Sequence, residues 1–239
     1  MTHEWMLTEI RSDNTFMNNY GTTNSQNLQI LSNDIFEAPS FDLIIENYWK
    51  TTYQSIRSIN ILQNALKTSY DETNGNINFN NGSLPISEPV RKRISGEASF
   101  MRAYHYFNLV RLFGKTFLID RVVTPEEALT LNRATVNDVY KFIIADLKHA
   151  STNCSASTFS GTPAVDKGRA TAWAAKALLA KVYLTRGQKS EALTLLNDVI
   201  TNSGYSLLTG TSGYANVFSA NNEVNAELLF AIRYKIWWF

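Results

Sequence analysis

The sequence predicts a mainly α fold of helical hairpins, with irregular loop inserts and a few short strands. Three observations predict it. Apolar residues recur at threes and fours through several long segments, which is the period of an amphipathic helix. Clusters of Asn, Gly and Pro, residues that a helix interior rejects, separate those segments. The stretch 169–185 is dense in alanine, and small residues let helix axes approach closely.

The bulk numbers narrow the function classes. At 239 residues, 44% hydrophobic and 18% charged, the chain is foldable and long enough for one large domain. Its 22 basic and 21 acidic residues leave a net charge of +1, so nothing argues for nucleic acid or a charged membrane surface. The 24 Asn make an unusually polar, uncharged surface, suited to loops and to neutral ligands. At 12% aromatic content most rings belong to the core, and a surplus could build binding platforms. The single cysteine, Cys154, excludes an internal disulfide and reads as a small, inert, partly buried residue. No apolar run reaches the roughly 18 residues that a spanning helix needs. Met1-Thr2-His3-Glu4-Trp5 lacks the basic start and apolar stretch of a signal peptide, and three aromatics close the chain, Trp237-Trp238-Phe239. Both ends read as those of a fragment.

We read the chain as one domain, residues 1–239. Residues 1–40 are a loop-rich N-terminal segment: a short ordered start, then a long loop holding Asn18-Asn19-Tyr20-Gly21. Residues 41–113 hold two long helices. The first covers 41–68, with Ile44, Ile45, Tyr48, Trp49, Thr52, Ile56, Ile59 and Leu62 in period and a start signal in Pro39-Ser40 and Asp42. Residues 71–89 break it with Asn74-Gly75, Asn81-Gly82, Pro85 and Pro89. The second runs from Glu88 or Val90 to Phe113, with Gly114 as its stop. Phe100, Ala103, Tyr104, Phe107 and Val110 form one stripe, and Met101, Leu109, Leu112 and Phe113 another, so this helix packs on two sides. Phe117-Leu118-Ile119 reads as extended, and Pro125 to Leu129 as one helical turn.

Residues 133–201 hold helical hairpins. One helix follows the N-cap Thr135 to about residue 149. After a Ser/Thr-rich loop at 151–161 come helices at 169–185 and 190–201, broken at Gly187. The pair at 173–201 matches the spacing of a tetratricopeptide unit, with Leu179 and Ala180, Tyr183 and Ala192 in place and the closing proline missing. The small residues at 180 and 192 mark where the helices touch. The helices at 97–113 and 135–149 could form another pair. The fold class is therefore a tetratricopeptide-like α-solenoid, with an ordinary helical bundle as the alternative. Residues 205–239 are irregular, with a short strand or buried segment at Glu227 to Arg233.

Catalytic patterns are missing: there is no phosphate-cradling Gly-rich loop, no His-Glu-x-x-His and no Gly-x-Ser-x-Gly. His3, His105 and His149 are far apart in sequence. Glu126 and Glu127 are adjacent and diverge on a helix. Asp71-Glu72-Thr73-Asn74-Gly75 resembles a calcium loop only loosely. We expect no cofactor, no metal and no enzyme.

Five segments, in order, resemble the SusD/RagB family. They are Trp49 to Asn60, Gly96-Glu97-Ala98 to Phe113-Gly114, Arg133-Ala134-Thr135-Val136 to Asp146-Leu147, Ala174 to Leu184, and Asn225 to Ile232 with its Glu-x-x-Phe strand. The resemblance implies a surface-exposed lipoprotein of the outer membrane that captures oligosaccharides or peptides. It also implies a SusC-like TonB-dependent transporter as partner, helical repeats as scaffold and irregular inserts as the binding face. Two departures are visible. No cysteine stands near the N-terminus to carry a lipid, and the C-terminal half of the family is missing. The resemblance points to the 11–40 loop for ligand contacts, with Asp13, Asn14, Tyr20 and Phe36 as candidates, Asp13 and Asn14 as hydroxyl partners and Tyr20 as a stacking platform. Glu97 and Arg102, about 140° apart on a helix, read as scaffold residues that pair elsewhere. The alternative function is a tetratricopeptide-type adaptor binding a peptide partner.

Overall fold

In a computed structural model the described residues are 2–10, 12, 15, 25–80, 82, 84–161, 166 and 168–232. They form helices α1 (Thr2–Thr8), α2 (Ser25–Asp34) and α3 (Leu43–Ala65), then strands β1 (Thr68–Asp71) and β2 (Asn76–Phe79). Helices α4 (Glu88–Phe113), α5 (Pro125–Thr130), α6 (Val136–Asn153), α7 (Ala172–Thr185), α8 (Lys189–Asn202) and α9 (Gly213–Val217) follow. Chain contacts divide the protein into two compact units, residues 1–58 and 59–239.

In the first unit α1 packs on α2. Met6, Leu7, Ile10, Ile30, Ile44, Tyr48 and Ile56 are buried. Helix α2 corrects the long loop expected across 11–40. Its sequence, Ser25 to Asp34, has few apolar positions, so the periodic signal is weak. Helix α3 starts at the expected signal, and Asp42 makes it: its Oδ1 accepts from Ile44 N at 2.8 Å and Ile45 N at 3.0 Å.

In the second unit α4, α6, α7 and α8 pack in succession, each on the next. The two hairpins expected from the repeat spacing are therefore α4 with α6 and α7 with α8. Thr135 and Thr171 cap α6 and α7, each side chain accepting a backbone N–H three residues on. Ala180 and Ala192 are fully buried in the α7–α8 hairpin, and Lys176 Nζ bridges it to Asp198 at 2.6 Å. Gly96 explains the start of the family-like segment. A Cβ there would lie 2.9 Å from Cys154 N and 3.0 Å from Asn153 Cβ, so α4 packs this closely on the end of α6 only with a glycine. Helix α4 is buried on both stripes over Phe100, Ala103, Phe107, Leu109 and Val110, while Met101, Leu112 and Phe113 are half-buried.

Arg102 and Glu97 do pair elsewhere. Arg102, 1% exposed, donates to both carboxylate oxygens of Asp146 at 2.8 Å, to Asn60 Oδ1 at 2.8 Å and to Asp120 O at 3.2 Å. One guanidinium thus ties α3, α4, α6 and the extended 117–120 segment together. Glu97 accepts from Arg169 Nε at 2.9 Å and also pairs with its Nη2.

Two further expectations need correcting. The break at 71–89 begins as an antiparallel hairpin, Thr68 opposite Phe79, with Gly75 at φ 65 in its turn. Four-residue strands are too short to show alternation, and the Asn-Gly turn was their visible trace. Of the two readings for 227–233, a short strand or a buried segment, the strand is absent: residues 227–231 are irregular and half-buried, Ile232 is exposed, and Arg233 lies outside the described residues. Phe230 anchors it, with its ring 5.0 Å from Phe100 and 6.1 Å from Phe159. No described strand lies beside it to supply a ladder, so side-chain packing decides its shape.

Candidate functional site

Three of the sequence-derived candidates, Asp13, Asn14 and Tyr20, lie outside the described residues. The fourth, Phe36, sits in the turn between α2 and α3. The turn closes α2 as a Schellman motif: Glu37 N donates to Ser32 O at 2.8 Å and Phe36 N to Asn33 O at 3.3 Å. That motif needs a left-handed residue after the helix, and Phe36 supplies it at φ 61. Glycine is the usual occupant, because a side chain there costs about 1–2 kcal/mol. Strain of this kind concentrates at functional sites.

The turn is held from both ends. Asn33 Nδ2 donates to Gln29 O and to Asp42 Oδ2, each at 2.9 Å. Asp42, itself 2% exposed, spends its other oxygen capping α3. The Asn33 Oδ1 is buried with no partner among the described residues. Between these buried anchors the chain presents apolar side chains to solvent: Ile35 is 51% exposed, Phe36 65% and Phe41 78%, with Leu43, just past Asp42, at 51%. Sequence reasoning missed Phe41 and the Asn33–Asp42 anchor. The trace was Asp42 at the start of a helix, but its pairing with Asn33 depends on the fold.

This arrangement offers an exposed apolar surface of the kind that binding uses. The carboxylates of the turn are Asp34, Glu37 and Asp42, and both Asp42 oxygens are engaged by backbone and Asn33 hydrogen bonds. A rigidly mounted aromatic face offers contact area at low entropic cost.

Elsewhere the chemistry is occupied. A cleft in the second unit is lined by Arg93, Glu97, Ser155, Asp166, Arg169, Ala170 and Thr171. Its charges pair internally, Arg93 with Asp166 at 3.1 Å and Arg169 with Glu97. Cys154 is buried, and burial pushes its thiol up to about 12, far from a reactive thiolate. His149 Nε2 lies 2.8 Å from Ser95 Oγ, and burial pulls its imidazole below the ordinary value. Glu127 closes a capping box on Thr124 rather than working beside Glu126. Asp71 Oδ1 accepts from Thr73 N and Asn74 N inside the hairpin turn. Among the described residues no cluster of His, Cys, Asp and Glu could hold a metal. No described helix is long and apolar enough to cross a membrane.

Known proteins resemble this chain along most of its length. A family described as starch-binding, associating with outer membrane, matches residues 2–184. A SusD-like protein of Bacteroides ovatus is 33% identical over 212 residues, covering 83% of this chain and 34% of that protein. A solved laminarin binding SusD-like protein is 28% identical with a TM-score of 0.73, over 86% of this chain and 41% of the other. A crystal structure with a xylogluco-oligosaccharide is 27% identical with a TM-score of 0.70, over 95% of this chain and 42% of the other. The chain therefore spans about a third of the length of the curated relative.

Proposed function

We propose a function from one premise: the chain belongs to the SusD/RagB family of SusD-like proteins. The protein is a non-catalytic binding protein associated with the outer membrane. It captures oligosaccharides at the cell surface, held there by a lipid anchor in the full-length form, and passes them to a SusC-like TonB-dependent transporter. The family match over residues 2–184 carries this reading. The ligands named for two structural neighbours, laminarin and a xylogluco-oligosaccharide, support glycans as the ligand class.

Phe36 and Phe41 are the contact residues that the turn's geometry favours. A ring stacked on a sugar face needs exposure and a fixed direction. The Schellman turn and the Asn33–Asp42 anchor supply the second. The sequence adds Asp13 and Asn14 as hydroxyl partners and Tyr20 as a third stacking ring.

Isothermal titration against laminari- and xylogluco-oligosaccharides, with a peptide panel beside them, tests the reading. Binding to at least one glycan is expected, weakened about tenfold by Phe36→Ala, the scale of one lost aromatic contact. Heat with no glycan and no peptide, together with no co-purifying transporter, overturns it.

A further inference from the structure

At one end of the helical array, two arginines converge on an aromatic pair. Arg111 lies on the last turn of α4 and Arg186 just past α7. The Arg111 guanidinium carbon sits 4.4 Å from the centre of the Phe107 ring, and that of Arg186 sits 4.8 Å from the Tyr140 ring. The two rings are themselves packed edge to face, 6.3 Å apart. Phe107 and Tyr140 are buried, while both arginines are exposed. The core thus ends in a two-ring base with a guanidinium laid on each ring.

Both arginines are held in place by neutral acceptors. Arg111 Nε donates to Phe107 O at 3.3 Å and Nη2 donates to Asn108 Oδ1. Arg186 Nη2 donates to Asn137 Oδ1 at 3.1 Å. Neither has a carboxylate partner among the described residues. The acid at the start of α6, Asp138, is bound to Lys141 and Thr135. Glu191, at the start of α8, accepts from Gln188. Burial raises the Tyr140 hydroxyl, while the charges of Arg186 and Arg111 both pull against it, so both act on one oxygen.

We propose that Arg111 and Arg186 form a docking surface for a carboxylate-rich segment of a partner protein. Charge complementarity selects the occupant: each guanidinium keeps donors that match a carboxylate fork. Stacking and the amide contacts hold both side chains before binding, which removes much of the ordering cost. Arginine backed by aromatic rings is the usual composition of an interface hot spot. An exposed helix-end surface fits a protein face better than a sugar chain, whose ring hydroxyls would leave the guanidinium charge unmatched.

Fluorescence anisotropy with a labelled hexaglutamate peptide tests the proposal on the whole chain. The variants are Arg111→Gln with Arg186→Gln, and the charge-keeping pair Arg111→Lys with Arg186→Lys. Circular dichroism confirms that each variant retains the helix content of the parent. The expected result is peptide binding that weakens with salt and drops about tenfold or more in both variants, the scale of a lost charge-assisted bidentate contact. Lysine variants that bind like the parent mean diffuse charge and overturn the proposal. Undiminished binding by the glutamine variants overturns it as well. So does a preference for trigalacturonic acid over the peptide, which would make the surface an acidic-glycan site.

Discussion

Helix α4 ends on Gly114 at φ 68, and helix α2 ends two residues before Phe36 at φ 61. Both residues take a positive φ, but Gly114 combines it with ψ −117 and donates its N–H to Val110 O, whereas Phe36 sits in a Schellman turn. Gly114 closes a buried scaffold helix at no steric cost. Phe36 closes an exposed turn and holds its ring outward at a cost of about 1–2 kcal/mol. Lys67, after α3, is a third case at φ 61: a side chain in the same conformation, exposed, with its carbonyl accepting Asn80 N from the hairpin. Non-glycine residues at two helix ends show that strain by itself does not mark a site. What separates Phe36 is the aromatic ring it mounts between two buried anchors.

The largest expected effect lies in the scaffold. Arg102→Ala leaves the Asp146 carboxylate buried and unpaired and should destabilise the protein by about 3–5 kcal/mol in urea unfolding. A loss below ~1 kcal/mol would show that this pair does not hold α4 to α6. Next is Gly96→Ala. A helix-favouring change should instead cost about 1–3 kcal/mol, because the new Cβ meets the backbone at the end of α6. A stabilised variant would mean that α4 and α6 can separate freely.

Smaller effects sharpen the comparison of helix ends. Phe36→Gly and Lys67→Gly should each stabilise by up to about 1 kcal/mol, measured as thermal midpoints, since glycine relieves the same strain. Only Phe36→Gly should also weaken glycan binding. Loss of binding in both would remove the distinction between the two turns.

The smallest expected effect concerns pH. Burial lowers the His149 pKa in the folded protein, so the unfolded chain takes up a proton first as pH falls. Its contribution is complete above the unfolded value of about 6.5 and declines as pH drops below it. Urea midpoints compared above and below that value should fall in the parent and fall less in His149→Gln. Equal slopes would remove His149 as a source.

Sequence alone determined the helices with strong period and clear stops. The caps Thr135 and Asp42, the stop at Gly114 and the alanine-lined hairpin are local signals, readable within a few residues. It also named Phe36, through resemblance to a family that places ligand contacts in this stretch. Tertiary structure decided the rest. Arg102 meets Asp146 across 44 positions, and Arg169 meets Glu97 across 72. No spacing rule joins residues that far apart, because the path of the intervening chain sets the encounter. The reason Gly96 must be a glycine, the left-handed turn that mounts Phe36 and the two rings that carry Arg111 and Arg186 are likewise set by packing. Local periodicity specifies elements, and only their packing specifies which side chains meet.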